Sequence, residues 1–261
     1  MLHISTRIVI HLLSISAMLC LGAGCRRDDP QPRLGQTTAV FNPNLTYGTM
    51  TDIDGNEYRT IGIGNQVWMA ENLRVTHYRN GDPIRHVTGE GDIWLWGNLT
   101  EGAWCSYENT KDVDQIATYG LLYNWYAVDD ERGLCPSGWH VPTDEEWGVL
   151  VEYVDAGDGA TSIDGINSLV GGRLKETGIL HWDYPNRFAD NSSGFTAIPG
   201  GERLTSWNLE FRAKGYNCFM WSSSLWEGLV PQYRNINTDF ATIGRHTGSV
   251  NTGLSVRCIK D

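Results

Sequence analysis

The chain has no G-x-S-x-G elbow, no C-x-x-C pair, no G-x-G-x-x-G and no Walker pattern. The first absence leaves no hydrolase-type serine nucleophile, the second no common structural zinc site, and the others no phosphate cradle for a nucleotide. Basic residues are outnumbered, 20 Lys and Arg against 31 Asp and Glu, for a formal charge of −11. That balance argues against a nucleic-acid partner, which would need a basic face to neutralise phosphates. No internal repeat and no linker interrupts residues 46–261. Only nine prolines accompany 30 glycines, a balance that predicts tight turns between short strands. What is abundant is apolar and aromatic: 41% of residues are hydrophobic and 11% aromatic, enough for a substantial core.

Arg7 and the apolar run over residues 8–21 have the form of an export signal, the run being too short to span a bilayer comfortably. Leu21-Gly-Ala-Gly-Cys25 resembles a lipoprotein signal-peptidase site, although Gly22 stands where that pattern usually has Leu. The expectation is a signal peptide over residues 1–24 and a lipidated Cys25 that holds the protein to a membrane without spanning it. An ordinary secretory peptide cleaved nearby is the alternative. Residues 25–45, charged and proline-bearing at Arg26-Arg-Asp-Asp-Pro-Gln-Pro-Arg33, then form a disordered tether. Asp28 and Asp29 are compatible with display at an outer-membrane surface. Of the six cysteines, Cys20 leaves with the signal and Cys25 carries lipid, so Cys105, Cys135, Cys218 and Cys258 remain in an oxidising compartment. The residues alone leave all three pairings open.

The most sharply punctuated stretch is residues 133–150. Thr143 is the N-cap and Glu146 its N3 partner in a capping box, and Asp144 and Glu145 oppose the helix dipole. Trp147, Leu150, Val151 and Val154 make one apolar stripe. Upstream, residues 47–53, 58–63 and 67–69 alternate around Asp54-Gly-Asn56 and Gly64-Asn-Gln66, which predicts a three-stranded meander. Asp52, Asp54 and Asn56 echo a calcium loop, but the downstream glutamate and flanking helices are missing, so a hairpin turn is the reading. Residues 91–96 are expected as a strand with Trp94 and Trp96 on one face, residues 103–107 as another, and residues 119–128 as a short buried helix. Ile166, Leu169, Val170 and Leu174 mark a second amphipathic helix. Residues 195–198, 216–224, 234–238 and 254–259 are the remaining strands, the last half-buried. One α+β domain over residues 46–261 follows.

Cys135-Pro-Ser-Gly-Trp-His-Val-Pro-Thr-Asp-Glu-Glu-Trp147 resembles the signature of the Fibrobacter succinogenes major paralogous domain. Thr51-Asp-Ile-Asp-Gly-Asn56, Asn65-Gln-Val-Trp-Met-Ala-Glu-Asn-Leu73, Tyr119-Gly-Leu-Leu-Tyr-Asn-Trp-Tyr-Ala-Val128, Gly194-Phe-Thr-Ala-Ile-Pro-Gly200 and Gly253-Leu-Ser-Val-Arg-Cys258 are similar to that family's other blocks, in order. The resemblance covers residue 51 to the C-terminus and implies a secreted or lipid-anchored bacterial protein. The helix-start segment is more distantly similar to the formylglycine-generating-enzyme branch of C-type-lectin-like folds. That likeness implies a loop-rich domain with short helices packed on a twisted antiparallel sheet. Such folds tie the last strand to an earlier helical region, which implies a Cys135–Cys258 disulfide and leaves Cys105 for Cys218. The copper-binding cysteine pair of that branch has no counterpart, since Cys258 stands without a near neighbour.

Cys135 lies near His140, an invitation to a thiolate–imidazole pair, but an exported protein with an even cysteine count favours the disulfide. Glu145–Glu146 and the acids at 129–131 are sequence neighbours, a spacing that does not by itself face two carboxyls across a glycosidic bond. Tyr184-Pro-Asn186 and Trp207-Asn208 lack the acidic members of calcium-lectin motifs. No catalytic residue, metal ligand or cofactor is therefore expected. The candidate ligand-binding set is Trp182, Tyr184, Trp207, Trp226 and Tyr233, in loops around residues 181–186, 203–211 and 225–233. The alternative is that these aromatics plug the core. The expected function is a lipid-anchored protein of the cell envelope and outer membrane with a non-catalytic recognition or adhesion module for a glycan or surface-protein ligand. An enzyme acting on polysaccharide or protein on the same fold, and a structural subunit of a surface assembly, are the rivals.

Overall fold

The computed structural model describes residues 35–88, 93–155, 169–206 and 209–261. The signal peptide, Cys25, the start of the tether, Ile166 and Trp207 lie outside the described residues. The expected meander forms: β1 (Gly48–Thr51), β2 (Glu57–Ile63) and β3 (Gln66–Met69) pair antiparallel. Asp52 locks its first turn by accepting from the backbone N–H groups of Asp54 and Asn56, from Asn56 Nδ2 and from the Tyr58 hydroxyl, at 2.6 to 3.0 Å. Four donors occupy its two oxygens, the local reason this acidic stretch turns a hairpin.

Next come β4 (Arg85–His86), α1 (Ile93–Gly97), β5 (Ala103–Cys105), α2 (Val113–Tyr119), β6 (Leu122–Tyr123) and α3 (Trp125–Val128). Two expectations are corrected here. Residues 93–97 are helical, and residues two apart on a helix diverge by about 200°. Trp96 is therefore buried while Trp94 is 63% exposed. Residues 119–128 are not one helix: Gly120, at φ 74°, ends α2, and Asn124 restarts the chain by capping α3 through Ala127 N at 3.1 Å. The stretch is apolar all round because it threads the core, with the Tyr123 hydroxyl donating to Val75 O at 2.7 Å.

After β7 (Trp139–His140), α4 (Asp144–Asp155) starts with the predicted capping box. Thr143 Oγ1 accepts from Glu146 N at 3.2 Å, and the Glu146 carboxylate accepts from Thr143 N at 2.8 Å. Trp147, Leu150 and Val154 are buried on its inner face, and Trp147 packs on Trp68 and Phe195 with ring centroids 4.8 and 5.8 Å apart. α5 (Val170–Leu174) follows, shorter than the predicted stripe, with Leu169 exposed rather than buried. Residues 195–198 form only an isolated bridge at Ala197, not a strand. β8 (Gly200–Ser206) pairs with β9 (Leu209–Lys214), and β10 (Asn217–Trp226), β11 (Val230–Asn237) and β12 (Ile243–Thr247) make a three-stranded antiparallel sheet in that order.

The C-terminal run also differs from expectation. β13 covers only Ile259–Lys260, inserted between β3 and β7 in a five-stranded sheet of order β1-β2-β3-β13-β7. Residues 254–259 are buried on both faces rather than one, because Leu254 bridges Tyr123 while Ser255 bridges Met220 of the other sheet. Arg257 consequently has no water to reach. Its guanidinium donates to Asn72 Oδ1 at 2.9 Å, Thr196 O at 2.8 Å and Phe195 O, and lies 4.4 Å from the Phe195 ring centroid.

Cys135 and Cys258 are bonded, with Cα atoms 6.0 Å apart, the pairing that the lectin-like resemblance implied. Cys105–Cys218 does not form, and both thiols are free and buried. Cys105 sits in a small cluster with Val87, Trp96 and Leu122, Cys218 in a separate one with Trp68, Trp147 and Met220. Burial pushes each thiol up to about 12. The described residues from 35 to 261 belong to one compact α+β unit, so the body begins ahead of residue 46. Val40 N donates to Glu176, Thr38 Oγ1 is 2.9 Å from His181 Nε2, and Phe41 and Leu45 pack on the Trp68 cluster.

Candidate functional site

The candidate site is an open trough where the β10–β11 hairpin meets the edge strand β12. Strand alternation sets its two sides. Tyr233 and His246 are direct cross-strand partners with stacked rings 5.5 Å apart, backed by Phe219 and Trp221 at 5.9 and 6.0 Å from Tyr233. Gln232 opposes Thr247, and Arg234 opposes Arg245, on the other face. With Trp226 from the end of β10, the residues Gln232, Tyr233, Arg245, His246 and Thr247 line a volume of about 440 Å³.

Arg245 is held from several directions. Its guanidinium lies 5.4 Å from the Trp226 ring centroid and grips Asp144, at the start of α4, through Nη2–Oδ2 at 2.6 Å and Nε–Oδ1 at 3.1 Å. Buried Gln232, with its amide oxygen turned toward it, accepts from the same two nitrogens at 3.1 Å. Arg234 reaches the same Asp144 carboxylate at 2.6 Å. Burial lowers the Arg234 pKa against the pull of Asp144. Burial also lowers that of His246, helped by Arg234, so His246 is neutral at pH 7.

Of the five aromatic residues singled out in the sequence, Trp226, 46% exposed, and half-buried Tyr233 come together in this trough. Trp182 is a core residue instead, its Nε1 donating to Ala197 O at 3.0 Å and Lys175 Nζ standing 5.5 Å from its ring. Tyr184 is 83% exposed and does not line the trough. Trp207 lies outside the described residues. The segment around 203–211 is not a loop but the β8–β9 hairpin, with Arg203 buried between Trp96 and Phe211 at 4.4 and 5.3 Å. Sequence reading missed Gln232, Arg245, His246 and Thr247. The signal was the short polar run at 243–247, which becomes a strand only by pairing with residues 232–236.

The recurring motif blocks, by contrast, build the scaffold. The block at 135–147 supplies one half of the disulfide, β7 and the capping box, while the block at 194–200 supplies the carbonyls that receive Arg257 from the block at 253–258. The family model described as the Fibrobacter succinogenes major domain matches residues 61–260. The chain belongs to this family. No curated protein and no solved structure matches it. In this Fibrobacter succinogenes major domain the trough residues 226–247 fall between the scaffold blocks, so framework and site come from different parts of the chain.

Elsewhere among the described residues, several ionisable groups have structural partners. Cys135 is spent in the disulfide, and His140 lies between Glu146 at 2.8 Å and Asp261 at 2.6 Å. A cavity of about 310 Å³ beside the disulfide is lined by Asp52, His77 and Ser137, with His77 Nδ1 on Asp54 at 2.6 Å. Another, of about 410 Å³, has Glu101, Asp129, Asp130 and Glu131 on its walls, where Arg132 takes Asp130 at 2.7 Å. Among the described residues no helix is long and apolar enough to cross a membrane.

Proposed function

We propose that this Fibrobacter succinogenes major domain is a non-catalytic recognition module on a lipid-anchored protein of the cell envelope, and that the trough beside Trp226 binds carbohydrate. One observation carries the reading: exposed Trp226 lies beside the fixed Arg245 guanidinium, 5.4 Å from its ring centroid, in an open trough that Thr247 also lines. Sugars present C–H faces that pack on aromatic rings and hydroxyls that pair with fixed polar groups, the combination such a surface meets. The C-type-lectin-like reading of the fold is supported by short helices against antiparallel sheets and by a disulfide joining Cys258, just ahead of the final strand, to the segment before α4. The anchor reading is supported by the apolar run at 8–21 ahead of Cys25, with the outer membrane as its destination.

The test is a glycan array probed with the intact protein and with Trp226→Ala. Binding by the parent protein, lost in the variant at unchanged melting temperature, is the expected outcome. A flat array with correctly folded protein refutes carbohydrate recognition at this surface.

A further inference from the structure

We infer that the trough selects an acidic glycan, taking a sugar ring on Trp226 and the sugar's carboxylate on Arg245; this deepens, and rests on, the recognition reading above. The first observation is charge. The chain carries a net −11, yet the trough is lined by the charged Arg245 with no carboxylate among its lining residues. Asp144, which grips Arg245 from below, is shared with Arg234. One carboxylate between two guanidinium groups leaves a positive charge uncompensated, a local inversion of the protein's overall sign.

The second observation is how Arg245 is presented. Asp144 and Gln232 together occupy its Nε and Nη2, while Nη1 has no protein acceptor among the described residues. A guanidinium pinned on one edge with donors open on another is preorganised for an incoming carboxylate, so little side-chain entropy remains to be lost on binding. Gln232 is 3% exposed, which makes this clamp a buried support and not a chance surface contact. The third observation is adjacency: the same guanidinium sits beside the exposed Trp226 ring, 5.4 Å from its centroid. Flat ring area next to a fixed cation matches a uronic-acid sugar, with its apolar ring face and its single carboxylate. An acidic peptide shares the charge but not the ring faces, so the Trp226 ring favours the sugar.

The experiment is calorimetric titration of the full chain with a panel of uronate oligosaccharides, their methyl esters and an oligoglutamate peptide. The acid sugars are expected to bind about tenfold more tightly than their esters, the scale of one charge-assisted hydrogen bond. Arg245→Gln should bring the acid-to-ester affinity ratio to about one, and Arg245→Lys, which keeps the charge without the fork, should leave it in between. Arg234 still covers Asp144 in both variants, and a melting curve confirms that each is folded. Equal affinity for acid and ester forms, both lost in Trp226→Ala, would overturn the charge selectivity and leave carbohydrate recognition standing. No binding of any sugar by folded protein would remove both. Oligoglutamate bound as tightly as the uronates would replace the glycan with an acidic peptide and overturn the inference.

Discussion

Replacing Cys135 and Cys258 together by alanine tests how the two ends of the body are held. The bond spans a sequence separation of 123 residues, and in the chain-entropy picture a loop of that size restrains the unfolded chain by about 5 kcal/mol. Both cysteines are also buried among Tyr58, Trp139 and Val256, so removing sulfur costs packing as well and adds to the loss. Native domains are stable by about 5–15 kcal/mol, which makes this a large share of the total. In a unit of this size each kcal/mol moves the melting temperature by about 2–4 °C, so a fall of about 10–20 °C is expected. Circular dichroism of the double variant against the unreduced parent reads it directly. Alkylation of the unfolded, unreduced parent followed by peptide mapping should label Cys105 and Cys218 and spare Cys135 and Cys258. A fall of less than about 3 °C, or a Cys105–Cys218 link in the map, would refute the account.

Other perturbations probe separate parts of the structure. Arg257→Met leaves three buried neutral acceptors, Asn72 Oδ1, Phe195 O and Thr196 O, without their donor, and should cost about 3–5 kcal/mol in urea unfolding at about 1–2 kcal/mol for each stranded acceptor; a loss under 1 kcal/mol, about the worth of one ordinary hydrogen bond, would mean water replaces the guanidinium. At His140 burial acts downward, but the carboxylates of Asp261 and Glu146 outweigh it and raise the pKa. A raised folded value stabilises fully below the ordinary histidine range near pH 6.5, and that contribution fades as the pH rises through the folded value. The ring is 37% exposed, so the effect is about 1 kcal/mol or less. His140→Gln should flatten the loss of melting temperature above neutrality, and an unchanged pH profile would count against the clasp. Metabolic labelling with radioactive palmitate should disappear in Cys25→Ala, and label that persists would remove the lipid anchor.

The parts of the fold that could be read from sequence are those whose physics acts within a few residues. Thr143 and Glu146 satisfy each other's backbone donors across three positions, and the stripe from Trp147 to Val154 needs only helical period to share a face. The meander likewise follows from alternation and from the donors that Asp52 finds within its own turn. Tertiary structure decided what lies beyond that range. Alternation across residues 254–259 separates two faces but cannot say that the second also meets protein, which is why Arg257 is buried and internally paired. Four cysteines in order cannot say which clusters they enter, and Cys105 and Cys218 end in different ones. The trough is the extreme case. Residues 243–247 carry no hydrophobic period of their own and become a strand only against β11, and Arg245 acquires its fixed pose only because α4 brings Asp144 beneath it. A site assembled from three separate segments is set by long-range contacts, and those exist only once the chain has folded.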